Sequence, residues 1–198
     1  MLIVTLNPSI DKTILVDKLT PGAEMRVRSV RSVDGGKGVN LARALQALGV
    51  TAVSLTLKDV IPSIEVRVNT TVIDAAGRPT RFIEPGPQLC PKDWQRVERY
   101  VLGKLAGIRV LALCGSLPSD APADIYARLI TAARRKGIFT VLDSSGVALL
   151  QGVKAGPDCV KPNQDEAEEL LGFKVRSIPA VRKALQMLAG YGMTRVLL

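Results

Sequence analysis

Apolar residues recur along the chain in short blocks that switch between a strand period and a helix period. Leu2 to Leu6 is a short apolar run, read as a strand. Val39 to Leu48 places Leu41, Leu45 and Leu48 on one helical face, with Gly49 as its stop. Thr51 to Leu57 returns as a strand. The pattern then predicts a helix over about Pro91 to Ala106, a strand at Val110 to Leu113, a helix over about Pro122 to Lys136 and a strand at Phe139 to Leu142. A short strand near Cys159 and Val160, helices over about Gln164 to Leu171 and Pro179 to Leu188, and a final strand at Arg195 to Leu198 complete the series. Such alternation predicts an α/β fold with a mainly parallel sheet flanked by helices.

Two stretches break the rhythm. Thr13 to Val33 holds strand-like segments, Ile14 to Val16 and Met25 to Val33, separated by Pro21-Gly22. Glu65 to Ile83 reads as a hairpin around Ala75-Ala76-Gly77-Arg78. Hairpins do not belong in a doubly wound sheet, so excursions over about residues 12–33 and 65–84 predict a small antiparallel β-flap, or lid, beside the main sheet. Between Leu57 and Glu65 there is no room for a full helix, and the chain stops on the apolar strand Val196-Leu197-Leu198. Both features read as missing sequence. The expectation is a single incomplete domain spanning residues 1–198.

Composition narrows the function. With 47% hydrophobic and 23% charged residues, 198 residues suit one globular domain. No apolar run approaches the roughly 20 residues of a membrane helix, and the start shows no basic, signal-like region, so a cytoplasmic location and no membrane partner are expected. The net charge of +9 points to phosphate in a partner. The basic residues are scattered, and no aromatics interleave with Arg134-Arg135-Lys136, so no nucleic-acid partner is expected. The chain has no histidine, which excludes a histidine-dependent triad. Three cysteines without C-x-x-C spacing argue against structural zinc or a disulfide framework.

The chemistry-bearing motifs follow predicted strands or open helices. Asp34-Gly35-Gly36-Lys37-Gly38-Val39-Asn40 combines close backbone approach, a helix N-terminus and a cation, with Asn40 able to bond hydroxyls. It fits neither the Walker nor the dinucleotide pattern, and a plain glycine-rich turn would read the same. Asn7-Pro8-Ser9-Ile10-Asp11 follows the first strand, where Asp11 is placed to accept bonds from substrate hydroxyls or simply to sit in a solvated Asn-Pro turn. Lys161-Pro162-Asn163-Gln164-Asp165-Glu166 opens a helix. Asn163 and Glu166 match a capping box, and the same polar end could organise Mg²⁺-bound water and nucleotide phosphate. Cys114-Gly115-Ser116-Leu117-Pro118 and Asp143-Ser144-Ser145-Gly146 add small polar groups at the same sheet rim. Four segments converging there make a ligand cleft the better reading.

Taken in order, Thr5 to Asp11, Gly35 to Asn40, Glu84-Pro85-Gly86-Pro87, Gly115 to Pro118 and Lys161 to Glu166 resemble the PfkB family of sugar kinases, with a ribokinase-like fold. The nearest branch is the hexose-phosphate one, that of 1-phosphofructokinase and tagatose-6-phosphate kinase. The resemblance implies ATP- and Mg²⁺-dependent phosphorylation of a ketohexose phosphate, fructose 1-phosphate to fructose 1,6-bisphosphate foremost. It assigns Asp11, Gly35, Gly36, Lys37 and Asn40 to the sugar, and Arg67 on the flap to the substrate's existing phosphate. It assigns Asp143, Lys161, Asn163 and Glu166 to the nucleotide side, with Glu166 acting on the metal through water. Two family segments are absent. One is a Gly-Gly-x-x-G stretch with its helix after Leu57; the other is the C-terminal G-A-G-D, whose aspartate is the family's general base. No catalytic residue is therefore assigned, and the isolated chain is expected to be weak or inactive. A second reading stays open: a non-catalytic module that holds sugar phosphate or forms a homodimer through the β-flap.

Overall fold

A computed structural model describes residues 1–198. Strand β1 (Leu2–Thr5) enters the core first, with all four residues buried. The chain leaves the main sheet for β2 (Ser9–Val16) and β3 (Val27–Gly35), then returns through α1 (Lys37–Ala47) to β4 (Val53–Thr56). One helical turn, α2 (Leu57–Val60), leads out to the hairpin β5 (Arg67–Ile73) and β6 (Pro79–Ile83), and α3 (Pro91–Gly103) brings the chain back. There follow β7 (Val110–Cys114), α4 (Ile125–Arg134), β8 (Phe139–Asp143), α5 (Gly146–Lys154), β9 (Cys159–Val160), α6 (Gln164–Leu171), α7 (Ile178–Ala189) and β10 (Arg195–Val196).

The main sheet has the order β10-β9-β8-β7-β1-β4, and every pairing is parallel. Strand order runs outward from β1 in both directions. The chain therefore reverses its winding between β1 and β7, and the crevice beyond the carboxyl ends of these two strands is where such a sheet binds ligands. Its two faces are unequally covered. Leu2, Val4, Leu111 and Leu113 pack under α3, α4 and α5 with Val97, Val101, Leu129, Ile130, Leu149 and Val153 in a cluster of 25 buried residues. On the opposite face Ile3, Ala112 and Cys114 meet Leu41, Ala42 and Leu45 of α1. Each fully buried aliphatic side chain contributes about 1.5–3 kcal/mol, so the first face carries most of the hydrophobic stabilisation. No helix is long and apolar enough to cross a membrane.

The second sheet has the order β3-β2-β5-β6 and corrects the antiparallel flap expected from sequence. Its outer pairs are antiparallel, but the central pair β2–β5 is parallel, making the sheet mixed. The reason is geometric: β2 and β5 follow β1 and β4, which are parallel, and both leave the main sheet from its carboxyl rim. Four local readings also change. The flap strands reach further, from Ser9 and to Gly35, so Asp11 lies within a strand. Leu57 opens α2 instead of ending a strand, so the link to Glu65 contains one helical turn, with Thr56 and Asp59 forming its capping box. Helix α5 was hidden by Gly146 and Gly152. A Cβ on Gly152 would run into Leu142, so glycine lets α5 lie close on β8. The last strand ends at Val196, leaving Leu197 57% exposed.

Candidate active site

The loops at the carboxyl rim are tied to one another before any ligand enters. Asn7, only 4% exposed, donates from Nδ2 to Ser116 Oγ at 3.3 Å, joining the loops after β1 and β7. Ser144 Oγ donates to the Gly115 carbonyl at 3.0 Å, and the buried Tyr126 hydroxyl lies 3.3 Å from both the Cys114 and Gly115 carbonyls. Burial, aided by Asp143, pushes the Cys114 thiol up to about 12. Burial also raises the Tyr126 phenol well above its ordinary value. Neither group serves as a base near neutral pH.

On the side of the second sheet, register groups the expected sugar contacts. Ser9 of β2 stands opposite Arg67 of β5, and Asp11 opposite Asn69. Asp11 Oδ1 accepts from Ser9 Oγ at 2.9 Å and from Asn69 Nδ2 at 3.2 Å. Gly35 ends β3 across from Ser9, and a Cβ there would overlap the Asp11 carboxylate. Gly36 follows with φ +108°, a backbone that favours glycine, and sets α1 starting at Lys37. Arg67 is half-buried, and its guanidinium has only long contacts, 3.4 Å to the Asn7 carbonyl and 3.5 Å to the Glu84 carbonyl. Burial lowers its pKa, partly offset by Asp11, and no carboxylate forms an ion pair with it. Four buried side-chain polar atoms have no partner in the chain: Thr5 Oγ1, Asn7 Oδ1, Arg67 Nε and Asn69 Oδ1. Buried polar groups are normally paired, and these four all lie on β1, β5 or the β1 loop, at this rim.

Across the rim a second cluster forms around Lys37. Its ammonium donates to Asp143 Oδ1 and to Glu166 Oε1, both at 2.8 Å. Lys161 Nζ reaches the other Asp143 oxygen at 3.1 Å. Glu166 Oε2 accepts from the Asn163 backbone N–H, and Asn163 Oδ1 accepts from the Glu166 N–H, both at 2.8 Å. Burial opposes the charged ammonium of Lys37, but its bonds and attraction to Asp143 and Glu166 outweigh it and leave its pKa above the usual lysine value.

The sequence-derived residues thus divide into two groups. Asp11, Gly35 and Arg67 gather with Asn69 and Asn7, while Asp143, Lys161, Asn163 and Glu166 gather around Lys37. Lys37, expected on the sugar side, is bonded to the residues expected on the nucleotide side. Asn40 is brought to neither group: it is exposed on α1, with Oδ1 accepting from Arg43 Nη1 at 3.1 Å. The capping box of Asn163 and Glu166 is present and leaves Glu166 Oε1 directed at Lys37. Ser116 belongs to the Gly115–Pro118 rim turn read from sequence, whereas Asn69 belongs to no motif named there. The strand alternation of Arg67-Val68-Asn69, which puts both polar residues on one face, was the available signal for Asn69. No three acidic, histidine or cysteine side chains converge. Two hard carboxylates beside a cationic rim do fit Mg²⁺, which commonly takes one or two carboxylates and completes its shell with water and phosphate oxygens.

Comparison with known proteins places this rim in a lineage. The Escherichia coli (strain K12) ATP-dependent 6-phosphofructokinase isozyme 2 is 32% identical over 211 residues, covering 96% of this chain and 68% of the relative. The 1-phosphofructokinase of Xanthomonas campestris pv. campestris is 33% identical over 220 aligned residues, covering 98% of this chain and 69% of its own. That alignment is longer than the 198-residue chain, so the relative has internal residues that this chain lacks. The solved structure of Escherichia coli phosphofructokinase-2 in complex with fructose-6-phosphate gives a TM-score of 0.84 at 29% identity, covering 99% of this chain and 72% of that one. The chain spans about two thirds of the length of the curated relatives it matches. Residues 62–198, which carry Arg67, Asp143 and the Lys161–Glu166 segment, match the description "pfkB family carbohydrate kinase", and the chain belongs to that family.

Proposed function

We propose that this site binds ATP with Mg²⁺ and a ketohexose phosphate, and that its reaction is the phosphorylation of fructose 1-phosphate to fructose 1,6-bisphosphate. The observation that carries the sugar-phosphate half is Arg67, a half-buried guanidinium with an unpartnered Nε and no carboxylate ion pair, one strand from Asp11. A guanidinium fork grips a phosphate bidentately, and Asp11 accepts from hydroxyls of the same sugar. Relatives named as 1-phosphofructokinase, tagatose-6-phosphate kinase and 6-phosphofructokinase support the substrate class. Lys37, Lys161 and the start of α6 at Asn163 form the cationic side for the nucleotide's phosphates. Asp143 and Glu166 would hold Mg²⁺, which supplies charge neutralisation at the transferred phosphoryl group. Burial keeps Cys114 and Tyr126 protonated near neutral pH, so neither is proposed as the base for the attacking hydroxyl. A second copy of the chain, pairing through the exposed second sheet, is its proposed partner.

The test is a calorimetric titration with fructose 1-phosphate, fructose 6-phosphate and tagatose 6-phosphate, alongside a ³¹P NMR time course with Mg-ATP. A charged hydrogen bond is worth about 1.5–3 kcal/mol, so Arg67→Ala should weaken fructose 1-phosphate binding roughly 10- to 100-fold. Equal affinity of wild type and R67A refutes the phosphate role. A bisphosphate signal that grows with fructose 6-phosphate or tagatose 6-phosphate but not with fructose 1-phosphate refutes the assigned substrate.

A further inference from the structure

Lys37 does more at this rim than carry a positive charge, an inference that rests on the reading of the site as one that uses a divalent cation. Asp143 and Glu166 are largely buried, with side chains 16% and 10% exposed, and each directs one oxygen at the same ammonium. Their remaining oxygens are engaged too. Asp143 Oδ2 faces Lys161, and Glu166 Oε2 accepts the Asn163 N–H. All four carboxylate oxygens therefore have partners, and two carboxylates face two ammoniums, so their formal charges cancel. A divalent cation needs hard oxygens and negative charge, and here both are already committed. Lys37 and Lys161 are unequal competitors. Lys37 spans both carboxylates at 2.8 Å, whereas Lys161 touches one at 3.1 Å.

We propose that Lys37 and the divalent cation are alternative occupants of the same oxygen pair, Asp143 Oδ1 and Glu166 Oε1, so that Lys37 keeps the metal site closed in the nucleotide-free protein. Lys37 is the first residue of α1, anchored beside the glycine turn, so its side chain can leave the carboxylates while its backbone stays in place. The cluster is then a charge-balanced resting state. Metal binding costs the displacement of an ammonium, and bare metal binds weakly.

Mn²⁺ titration of the nucleotide-free chain, followed by the electron paramagnetic resonance of free Mn²⁺, reads this directly. Lys37→Met should tighten Mn²⁺ binding at least about tenfold, as expected when one unit charge within a few ångströms is removed. Lys161→Met should tighten it less, and adding Glu166→Gln to K37M should abolish the gain. Equal affinity of wild type and K37M, or a larger gain from K161M, overturns the proposal. Should K37M not fold, Mg²⁺ titration of wild-type protein labelled with ¹⁵N-lysine decides. The Lys37 ammonium should lose its protection from solvent exchange as Mg²⁺ is added, and unchanged protection refutes the competition. These readouts use neither sugar phosphate nor ATP. A K37M gain without sugar-phosphate binding would sink the kinase reading alone, and the converse pattern would sink the competition alone.

Discussion

The approach of α1 to the main sheet sets the position of Lys37, and Gly38 is where that approach can be measured. It is the one buried residue of α1. A Cβ at this position would lie inside van der Waals contact of Thr5 Oγ1 and at 3.0 and 3.1 Å from Ile3 Cγ2 and Cys114 Cβ. All three neighbours are fully buried strand residues, two of them β-branched and stiff at χ1, so they cannot simply rotate away. Gly38→Ala would gain at most about 1 kcal/mol in helix propensity. Overpacking a filled core typically costs about 1–3 kcal/mol, and the predicted net is a loss of roughly 1–2 kcal/mol. With a urea m-value of about 1–3 kcal/mol/M, the midpoint should fall by roughly 0.5–1 M. Gly103→Ala is the internal control. It ends α3 with nothing within 4 Å of where an added methyl would sit, so the same substitution there should leave the midpoint unchanged or raise it. The assay is equilibrium urea unfolding followed by far-ultraviolet circular dichroism. A G38A midpoint at or above wild type would refute the close packing of α1 on β1 and β7.

Two further outcomes follow from other parts of the chain. Glu168 accepts from Lys174 Nζ at 2.7 Å and the Val175 N–H at 2.9 Å, and these bonds, Lys174's foremost, hold its carboxylate down to about 2. A folded-state pKa below the unfolded value means stabilisation that is complete above the ordinary glutamate range and lost as pH falls toward about 2. Glu168→Gln should flatten the fall in melting temperature over that acid window, and an unchanged slope would count against the interaction. Val30, 51% exposed on β3, tests the proposed pairing of two copies: sedimentation should show self-association that Val30→Asp weakens. A wild-type chain that is monomeric at every concentration contradicts the pairing.

The elements readable from sequence were those whose own pattern carried the information. The apolar runs of β1, β7 and β8 and the 3.6-residue faces of α1, α3 and α6 stand where periodicity puts them. Helix α5 was not readable, because Gly146 and Gly152 look like loop residues until Gly152 is seen to admit Leu142 of the adjoining strand. The flap strands were visible, but the parallel pairing of β2 with β5 was not. Alternation marks a strand's faces and says nothing about the direction of a partner some 58 residues away, the separation of Asp11 and Asn69.

The site follows the same rule at the level of single charges. Asp11, Lys37, Arg67, Asp143 and Glu166 could each be named from motifs, but motifs do not say which charge faces which. Lys37 meets Asp143 and Glu166 across 106 and 129 residues, through contacts created by the fold of α1 over the carboxyl ends of the strands. Arg67 stands one strand from Asp11, while Lys37 is bonded to the opposite group. The motifs imply a role toward phosphate for both cations without distinguishing them. The fold gives them different electrostatic states: Arg67 has no carboxylate bridge, whereas Lys37 has two, and in the proposed competition it is Lys37 that a metal would displace.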